Sequence, residues 1–145
     1  MAGYAVQADD GREVAFVRAR MWIKASGEQT GGAFSLVEAL DPMETPKHIH
    51  DREDEAFYIL GGEHEFECGD ASFTLGPGGY IFLPRGIPHA HRRLGDPSES
   101  RMLIMVSPPG FENFFVELSD AREAGRELDA AFYEELAKKY GIHWL

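Results

Sequence analysis

The stretch Pro46–Gly62, PKHIHDREDEAFYILGG, combines two histidines and a glutamate with a strand-like run. His48 and His50 stand one residue apart, and alternate side chains of an extended strand point to the same face. Both imidazoles are therefore predicted to face one point. Glu55 follows a short acidic turn and precedes the strand-like run Ala56 to Leu60. Two imidazoles and a carboxylate that converge in this way predict a site for a divalent transition metal.

A second stretch, GGYIFLPRGIPH, ends in a further histidine, His89. The turn Pro-Arg-Gly-Ile-Pro directly before His89 is predicted to hold its imidazole rigidly. The two stretches contain the patterns HxHxxxxExxxxxxG and GxxxxxPxGxxH. The residues that match them are His48, His50, Glu55, Gly62, Gly78, Pro84, Gly86 and His89.

These patterns resemble the two sequence motifs of the cupin superfamily. The resemblance implies a jelly-roll β-barrel that holds one divalent transition metal (Fe, Ni, Co, Mn, Cu or Zn) per chain. The implied ligands are His48, His50, Glu55 and His89. The segments TGGAF, PPGFENFF and KKYGI further resemble single-domain bacterial cupins described as quercetinase-like (quercetin 2,3-dioxygenase-like). In some of those relatives the activity is dioxygenation of flavonols.

The order of strand and helix patterns predicts an all-β domain, a cupin jelly-roll barrel with a C-terminal helical tail. Short strand-like runs separated by turns occupy residues 13–107, and Met102 to Val106 is apolar enough to predict burial on both sides. Residues 110–140 show helical periodicity, with a first helix through Leu118 and a longer one from Asp120 to Tyr140. We expect both helices to pack on the outside of the barrel. A single domain, residues 1–145, is predicted.

Bulk properties narrow the classes of partner. The chain of 145 residues has a formal net charge of -11, which argues against nucleic acid and anionic membranes. The single cysteine, Cys68, excludes an internal disulfide and fits a reducing compartment. No apolar run approaches the length of a membrane span. These features predict a cytoplasmic protein whose partner is a small molecule.

Several residues are candidates for the walls of a substrate pocket. Phe57 and Ile59 share the strand parity of Glu55, and His64 and Phe66 share one face of the following strand. An apolar lining with a few polar groups suits a flat aromatic ligand. The alternative is that these residues are ordinary barrel core, and that His64 bonds a backbone group. The full candidate set is Phe34, Phe57, Ile59, His64, Phe66, His91, Met102 and Ile104.

Glu55 is also the candidate catalytic residue. It either serves only as a ligand or also takes a proton from a substrate hydroxyl as a general base. The neighbouring acids Asp51, Glu53 and Asp54 are interpreted as a solvated turn. Their negative field is expected to make the Glu55 carboxylate more basic.

The leading functional hypothesis is a metal-dependent dioxygenase that acts with dioxygen on a flavonol-like, phenolic or enolic ring compound. The alternatives are a metal-dependent isomerase or cyclase of a polyketide-like pathway, and a non-catalytic binding protein. A homodimer is predicted through the first 40 residues. Their strands would expose an apolar sheet edge formed by Val14, Phe16, Val17, Met21, Trp22 and Ile23.

Overall fold

The computed structural model describes residues 2–15, 19–42 and 44–145. Its strands are β1 (Arg12–Ala15), β2 (Arg20–Ala25), β3 (Ser35–Leu40), β4 (Thr45–His50), β5 (Asp54–Gly61), β6 (Glu63–Cys68), β7 (Ala71–Leu75), β8 (Tyr80–Leu83), β9 (His89–Leu94), β10 (Arg101–Ser107) and β11 (Ile142–Trp144). A short 3-10 helix, Pro97–Glu99, precedes β10, and two helices, α1 (Glu112–Glu123) and α2 (Ala130–Tyr140), precede β11.

The strands form two antiparallel sheets that pack face to face. One sheet has the order β1-β2-β3-β10-β5-β8, and the other has the order β11-β4-β9-β6-β7. Sequence neighbours are often separated in the sheets, since β4 and β5 lie in different sheets while β5 pairs with β10. This is the jelly-roll arrangement of an all-β domain, and the predicted fold class is confirmed.

Alternation along the strands divides each sheet into an inner and an outer face. On β10, Met102, Ile104 and Val106 are buried, whereas the side chain of Met105 points outward and the residue is 42% exposed. The prediction that this strand is buried on both sides was therefore wrong. The cause is that the strand lies in a two-layer structure, where only one face of each sheet meets the other.

The outer face of the six-stranded sheet carries exposed apolar side chains on adjacent strands. Met105 lies beside Ala56, which lies beside Phe82, and Tyr58 lies beside Tyr80. Tyr58, Leu60, Tyr80, Phe82 and Met105 are between 40% and 60% exposed. These five side chains define the apolar outer face, which is formed by β10, β5 and β8. These strands lie at the end of the strand order that is farthest from β1.

The expected apolar edge at the N-terminus is covered by the chain itself. Val14, Met21, Trp22 and Ile23 are all nearly inaccessible to solvent, and the Arg20 guanidinium lies over the Trp22 ring. Phe16 and Val17 lie outside the described residues. The exposed edge from which a homodimer was predicted is therefore absent at these four described positions.

The two helices follow the predicted helical region with a different boundary. A single helix was expected from Asp120 to Tyr140, but α1 continues to Glu123 and a break follows at Gly125, whose φ is +75°. Asp129 then starts α2 by accepting a hydrogen bond from the Phe132 backbone N–H. At the end of α2, Gly141 adopts the left-handed conformation expected of a C-terminal glycine.

The C-terminal segment closes one end of the barrel. The Phe111 ring before α1 packs edge-on against His50, with centroids 4.7 Å apart. After α2, the chain returns as β11, which pairs with β4 and places Trp144 beside His48. The helices were expected on the barrel exterior, and α1 does contact β1 and β3. Side chains of both helices, Phe114 and Leu118 of α1 and Tyr133 of α2, also border the cavity at this end of the barrel. No helix within the described residues is both long and apolar enough to cross a membrane.

Candidate metal centre

Both sheets contribute to one buried cluster of four potential ligands. His48 and His50 lie on the inner face of β4, and β4 pairs with β9 so that His48 stands opposite His89. Glu55 lies on β5 of the other sheet, and its side chain points inward between Leu83 and Val106. The fold therefore brings together side chains that are separated by up to 41 residues in sequence.

The ligand atoms of these four residues all lie within 4.8 Å of one another. The Nε2 atoms of His48 and His50 are 3.1 Å apart. A carboxylate oxygen of Glu55, Oε2, is 3.0 Å from His89 Nε2 and 3.4 Å from His50 Nε2. All four side chains are buried. The ligand set inferred from the motifs is thus assembled in one place.

The outer ring nitrogens fix the orientation of the three imidazoles. His48 Nδ1 donates to the Pro46 carbonyl at 2.8 Å, and His89 Nδ1 donates to the Ile87 carbonyl at 3.1 Å. Because a carbonyl oxygen only accepts, each Nδ1 carries a hydrogen and each Nε2 lone pair points into the cluster. Several buried lone pairs and a carboxylate that converge in this way fit a bound divalent cation.

His50 is oriented by a side chain rather than by the backbone. Its Nδ1 lies 2.6 Å from Oε1 of Glu53, which is itself only 5% exposed. Glu53 was expected in a solvated acidic turn, and this interpretation was wrong. The spacing of three residues brings Glu53 back beneath His50, where its carboxylate replaces the carbonyl that the other two imidazoles use.

The other acids of the turn also have partners. Asp54 accepts hydrogen bonds from the Arg85 backbone N–H and guanidinium, and Asp51 lies 2.5 Å from His143 Nε2. The negative field expected at Glu55 is therefore compensated. Burial raises the pKa of Glu55, but His50 and His89 lower it by more, so this pKa lies below its ordinary value. The expectation that the turn makes Glu55 more basic was wrong.

The histidine pKa values differ within the cluster. Burial, together with the neighbouring His89 and His50, lowers the pKa of His48 to about 4. Burial also lowers the pKa of His50, but the carboxylates of Glu55 and Glu53 outweigh it, and the result lies above the ordinary value. A divalent cation would compete with the proton on His50 and would meet His48 already neutral.

An apolar cavity of about 680 Å³ opens from the cluster. Its inner wall includes His48, His50, Glu55 and His89. Its sides and mouth are formed by the inner faces of both sheets and by the C-terminal segment. The lining residues are Met21, Pro42, Glu44, Thr45, Pro46, Phe57, Leu83, His91, Met102, Ile104, Phe111, Phe114, Phe115, Leu118, Ala130, Tyr133, Glu134, Ile142 and Trp144.

Four of the eight candidate pocket residues line this cavity, namely Phe57, His91, Met102 and Ile104. Ile59 and Phe66 are completely buried in the core beyond it. Phe34 directly precedes β3 and has the parity of Leu36 and Glu38, whereas the inner face of β3 carries Val37 and Ala39. These three residues do not line the cavity.

His64 lies behind the cavity wall and supports His91. Its Nε2 donates to the Gly61 carbonyl at 3.0 Å, and its Nδ1 lies 2.9 Å from His91 Nε2. Since the carbonyl requires a hydrogen on His64 Nε2, its Nδ1 accepts the hydrogen of His91 Nε2. His64 thus has the backbone partner of the alternative interpretation, and only His91 borders the cavity.

Sequence patterns missed three residues that contact the ligand histidines, which are Glu53, Phe111 and Trp144. The Phe111 stripe was recognised as helical, but periodicity alone does not say which surface covers it. Trp144 is in a three-residue strand, which is too short for an alternation signal. The spacing of three residues between His50 and Glu53 allows a contact across the turn, but it does not determine the direction in which that turn folds.

The comparisons with known proteins agree with this geometry. The family model of the cupin domain matches residues 36–106, which include all four ligand positions. The chain therefore contains a cupin domain, and the resemblance to the cupin superfamily is confirmed. No curated protein matches the chain by sequence.

Several solved structures share the fold of this chain. KdgF from Halomonas sp. is 18% identical with a TM-score of 0.63, over 77% of this chain and 99% of that chain. Pac13 of Streptomyces, a nucleoside dehydratase, is 12% identical with a TM-score of 0.59, over 77% and 88%. The polyketide cyclase RemF from Streptomyces resistomycificus is 24% identical with a TM-score of 0.59, over 72% and 79%. At these identities the similarity shows the fold.

Proposed function

We propose that this protein is a metal-dependent enzyme that acts on a phenolic or enolic ring compound, and that its reaction is a dioxygenation of the quercetinase-like type. One observation carries the proposal: the four potential ligands form the inner wall of a largely apolar cavity. A ring compound of small-molecule size that enters this cavity presents its polar edge to the ligand cluster.

His48, His50, Glu55 and His89 would hold the metal. A divalent transition metal with three imidazoles and one carboxylate supplies Lewis acidity toward a substrate oxygen and, when redox-active, access to dioxygen chemistry. The carboxylate of Glu55 lies within the same cluster. It can accept the proton of a substrate hydroxyl, because it is the anionic oxygen base among the four ligands.

The cavity walls position the ring and exclude water. Phe57 and Ile104 are neighbours across β5 and β10 and present an apolar surface from one sheet. Phe111 and Trp144 approach His50 and His48 from the C-terminal segment. Such a water-poor, aromatic enclosure strengthens electrostatic interactions at the ligand cluster and favours a flat substrate.

Oxygen uptake tests the reaction type. Metal-loaded protein would be incubated with a panel of flavonols and polyketide-like phenols, with and without dioxygen. The proposal predicts substrate loss that consumes oxygen and stops under anaerobic conditions. His89→Ala, which removes one ligand, serves as the metal-dependence control. Substrate loss at an equal rate without dioxygen would contradict a dioxygenase.

A second candidate is a metal-dependent cyclase or isomerase that uses the same cluster without dioxygen. It is favoured by the similarity to RemF, a polyketide cyclase. Anaerobic conversion of a polyketide-like phenol to an isomer or cyclised product would support it. Binding of such a compound without any product would instead support a non-catalytic binding protein.

A further inference from the structure

We infer that the part of the substrate away from its metal-binding oxygens is neutral or cationic. The carboxylates of Glu44 and Glu134 select against a negative charge in that part. The inference rests on the proposed function and names its substrate class. Glu44 precedes β4 and Glu134 lies on α2, so two separate elements each bring one exposed carboxylate to the mouth of the cavity.

The polar residues of the cavity wall carry no permanent positive charge. Apart from the four ligand residues, the side chains with polar groups that line the substrate space are those of Glu44, Thr45, His91, Tyr133, Glu134 and Trp144. Among the described residues that line the cavity, none is a lysine or an arginine. A substrate carboxylate or phosphate would therefore find no cationic side chain there.

Two of the basic residues that are close in sequence to the mouth have other partners. Lys47, one residue after Pro46, forms an ion pair with Glu67 at 3.0 Å. Arg126, in the segment before α2, lies over the Phe132 ring and 3.8 Å from Glu135. Neither Lys47 nor Arg126 lines the cavity, and the residues that they contact do not line it either.

Electrostatics then decides between substrates of equal shape. An anionic group that leaves water for this wall loses its hydration without gaining a cationic partner, and it approaches two carboxylates of the same sign. An ammonium group is instead attracted by those carboxylates and can contact the faces of Tyr133 and Trp144. The chelating oxygens experience the positive metal in every case, so the difference lies in the rest of the molecule.

Three catechols probe this difference, because they share the chelating ring and carry short side chains of different charge. They are 4-ethylcatechol, dopamine and 3,4-dihydroxyphenylacetate. Zinc-loaded protein is suitable because zinc has no redox chemistry, and calorimetry gives each dissociation constant without turnover. We expect 3,4-dihydroxyphenylacetate to bind at least about tenfold more weakly than 4-ethylcatechol at low salt. Dopamine should bind at least as tightly as 4-ethylcatechol.

Glu134→Gln and Glu135→Gln form a matched pair of variants. Both remove one charge from adjacent exposed positions of α2, but only Glu134 lines the cavity. Glu134→Gln and Glu44→Gln should each reduce the ratio of the dissociation constants of 3,4-dihydroxyphenylacetate and 4-ethylcatechol by about two- to fivefold at low salt. Glu135→Gln should leave this ratio unchanged, because the exposed Arg126–Glu135 pair is weak and Arg126 keeps its contact with the Phe132 ring.

Three outcomes of the binding experiment would contradict different parts of the proposal. Equal or tighter binding of 3,4-dihydroxyphenylacetate would overturn the inference and leave the proposed function intact. If neither Glu44→Gln nor Glu134→Gln changes the ratio of the dissociation constants, the assignment to Glu44 and Glu134 would be overturned. Failure of all three catechols to bind the zinc-loaded protein would overturn the proposed phenolic substrate itself, and the inference with it.

Discussion

His50 and Glu53 form a buried hydrogen bond, with 2.6 Å between Nδ1 and Oε1. The bond lies on the side of the imidazole that faces away from the other ligands. It fixes the ring orientation and makes the inward nitrogen a better electron donor toward a metal. Glu53 thus completes the site without being one of its ligands.

Replacing Glu53 with alanine should weaken metal binding by about 10- to 100-fold, because the His50 ring loses its orienting acceptor. Glu53→Gln should have a smaller effect, since its amide oxygen can still accept from Nδ1. Competition with a chelator, followed by elemental analysis, measures the affinity. Asp51→Ala is the control, because Asp51 is an exposed acid of the same turn that pairs with His143. Equal affinities for Glu53→Ala and Asp51→Ala would contradict the role of Glu53.

The ligand cluster was predictable from sequence through strand parity together with the resemblance to the cupin motifs. His48 and His50 have equal strand parity, and the motif resemblance supplied the full set with Glu55 and His89. Glu53 was missed because sequence shows only that it lies in an acidic turn, and the direction in which that turn folds depends on β4 and β5 lying in different sheets.

The cavity was less predictable, since its walls come from distant parts of the chain. Phe57 was found through its parity with Glu55, whereas Phe34 was placed wrongly because the face of β3 that turns inward depends on its register with β10. The apolar stripe of α1 was recognised, but the surface that it covers follows from tertiary packing. Periodicity describes a single helix or strand, whereas a cavity is formed by several of them together.

The stability of the metal-free protein should fall on acidification through the buried His48. Its pKa is about 4 in the folded chain and 6.5 for an ordinary histidine. Between pH 6.5 and about 4, His48 therefore binds a proton in the unfolded chain but not in the folded chain. The free energy of unfolding decreases over this range and levels off below about pH 4. The full effect of this single group is about 3 kcal/mol. The raised pKa of His50 acts in the opposite direction, stabilising the fold below 6.5 and losing this contribution as the pH rises through the folded value.

Comparison with His48→Gln separates these effects, because His50 remains in both proteins. Urea unfolding of chelator-treated protein at neutral pH and near pH 5 gives the loss of free energy for each. The wild type should lose up to about 2 kcal/mol more than the variant over this range. Equal losses would show that His48 does not remain neutral in the folded protein.

A homodimer remains a prediction, and its surface is now expected on the apolar outer face rather than at β1 and β2. The five exposed side chains of this face carry no charge, so two copies of a strongly acidic chain can approach there with less repulsion than elsewhere. Phe82→Glu should convert the dimer to a monomer in light scattering. Ile87→Glu, at an exposed apolar position outside this face, is the control. A monomeric wild type at high micromolar concentration would contradict the prediction.

Glu55 is the ligand whose replacement distinguishes a purely structural role from proton transfer. Its carboxylate is buried beside His50 and His89, and both imidazoles lower its pKa, so it is anionic at neutral pH and able to accept a proton. Glu55→Gln keeps an oxygen that can bind a metal but removes the base. If Glu55 takes the substrate proton, the variant should retain much of its metal and still bind a chelating phenol, while turnover falls by about two to four orders of magnitude.

The comparison needs metal content, phenol affinity and turnover from the same preparation, because each reports a different step. Glu53→Gln is the matched variant, since it makes the same chemical change two residues away, behind a ligand rather than within the cluster. A Glu55→Gln protein that holds its metal and turns over at the wild-type rate would show that the carboxylate only ligates. If turnover falls only in proportion to metal content, the loss is likewise explained by ligation. A base role requires that the rate per bound metal decreases in Glu55→Gln and is preserved in Glu53→Gln.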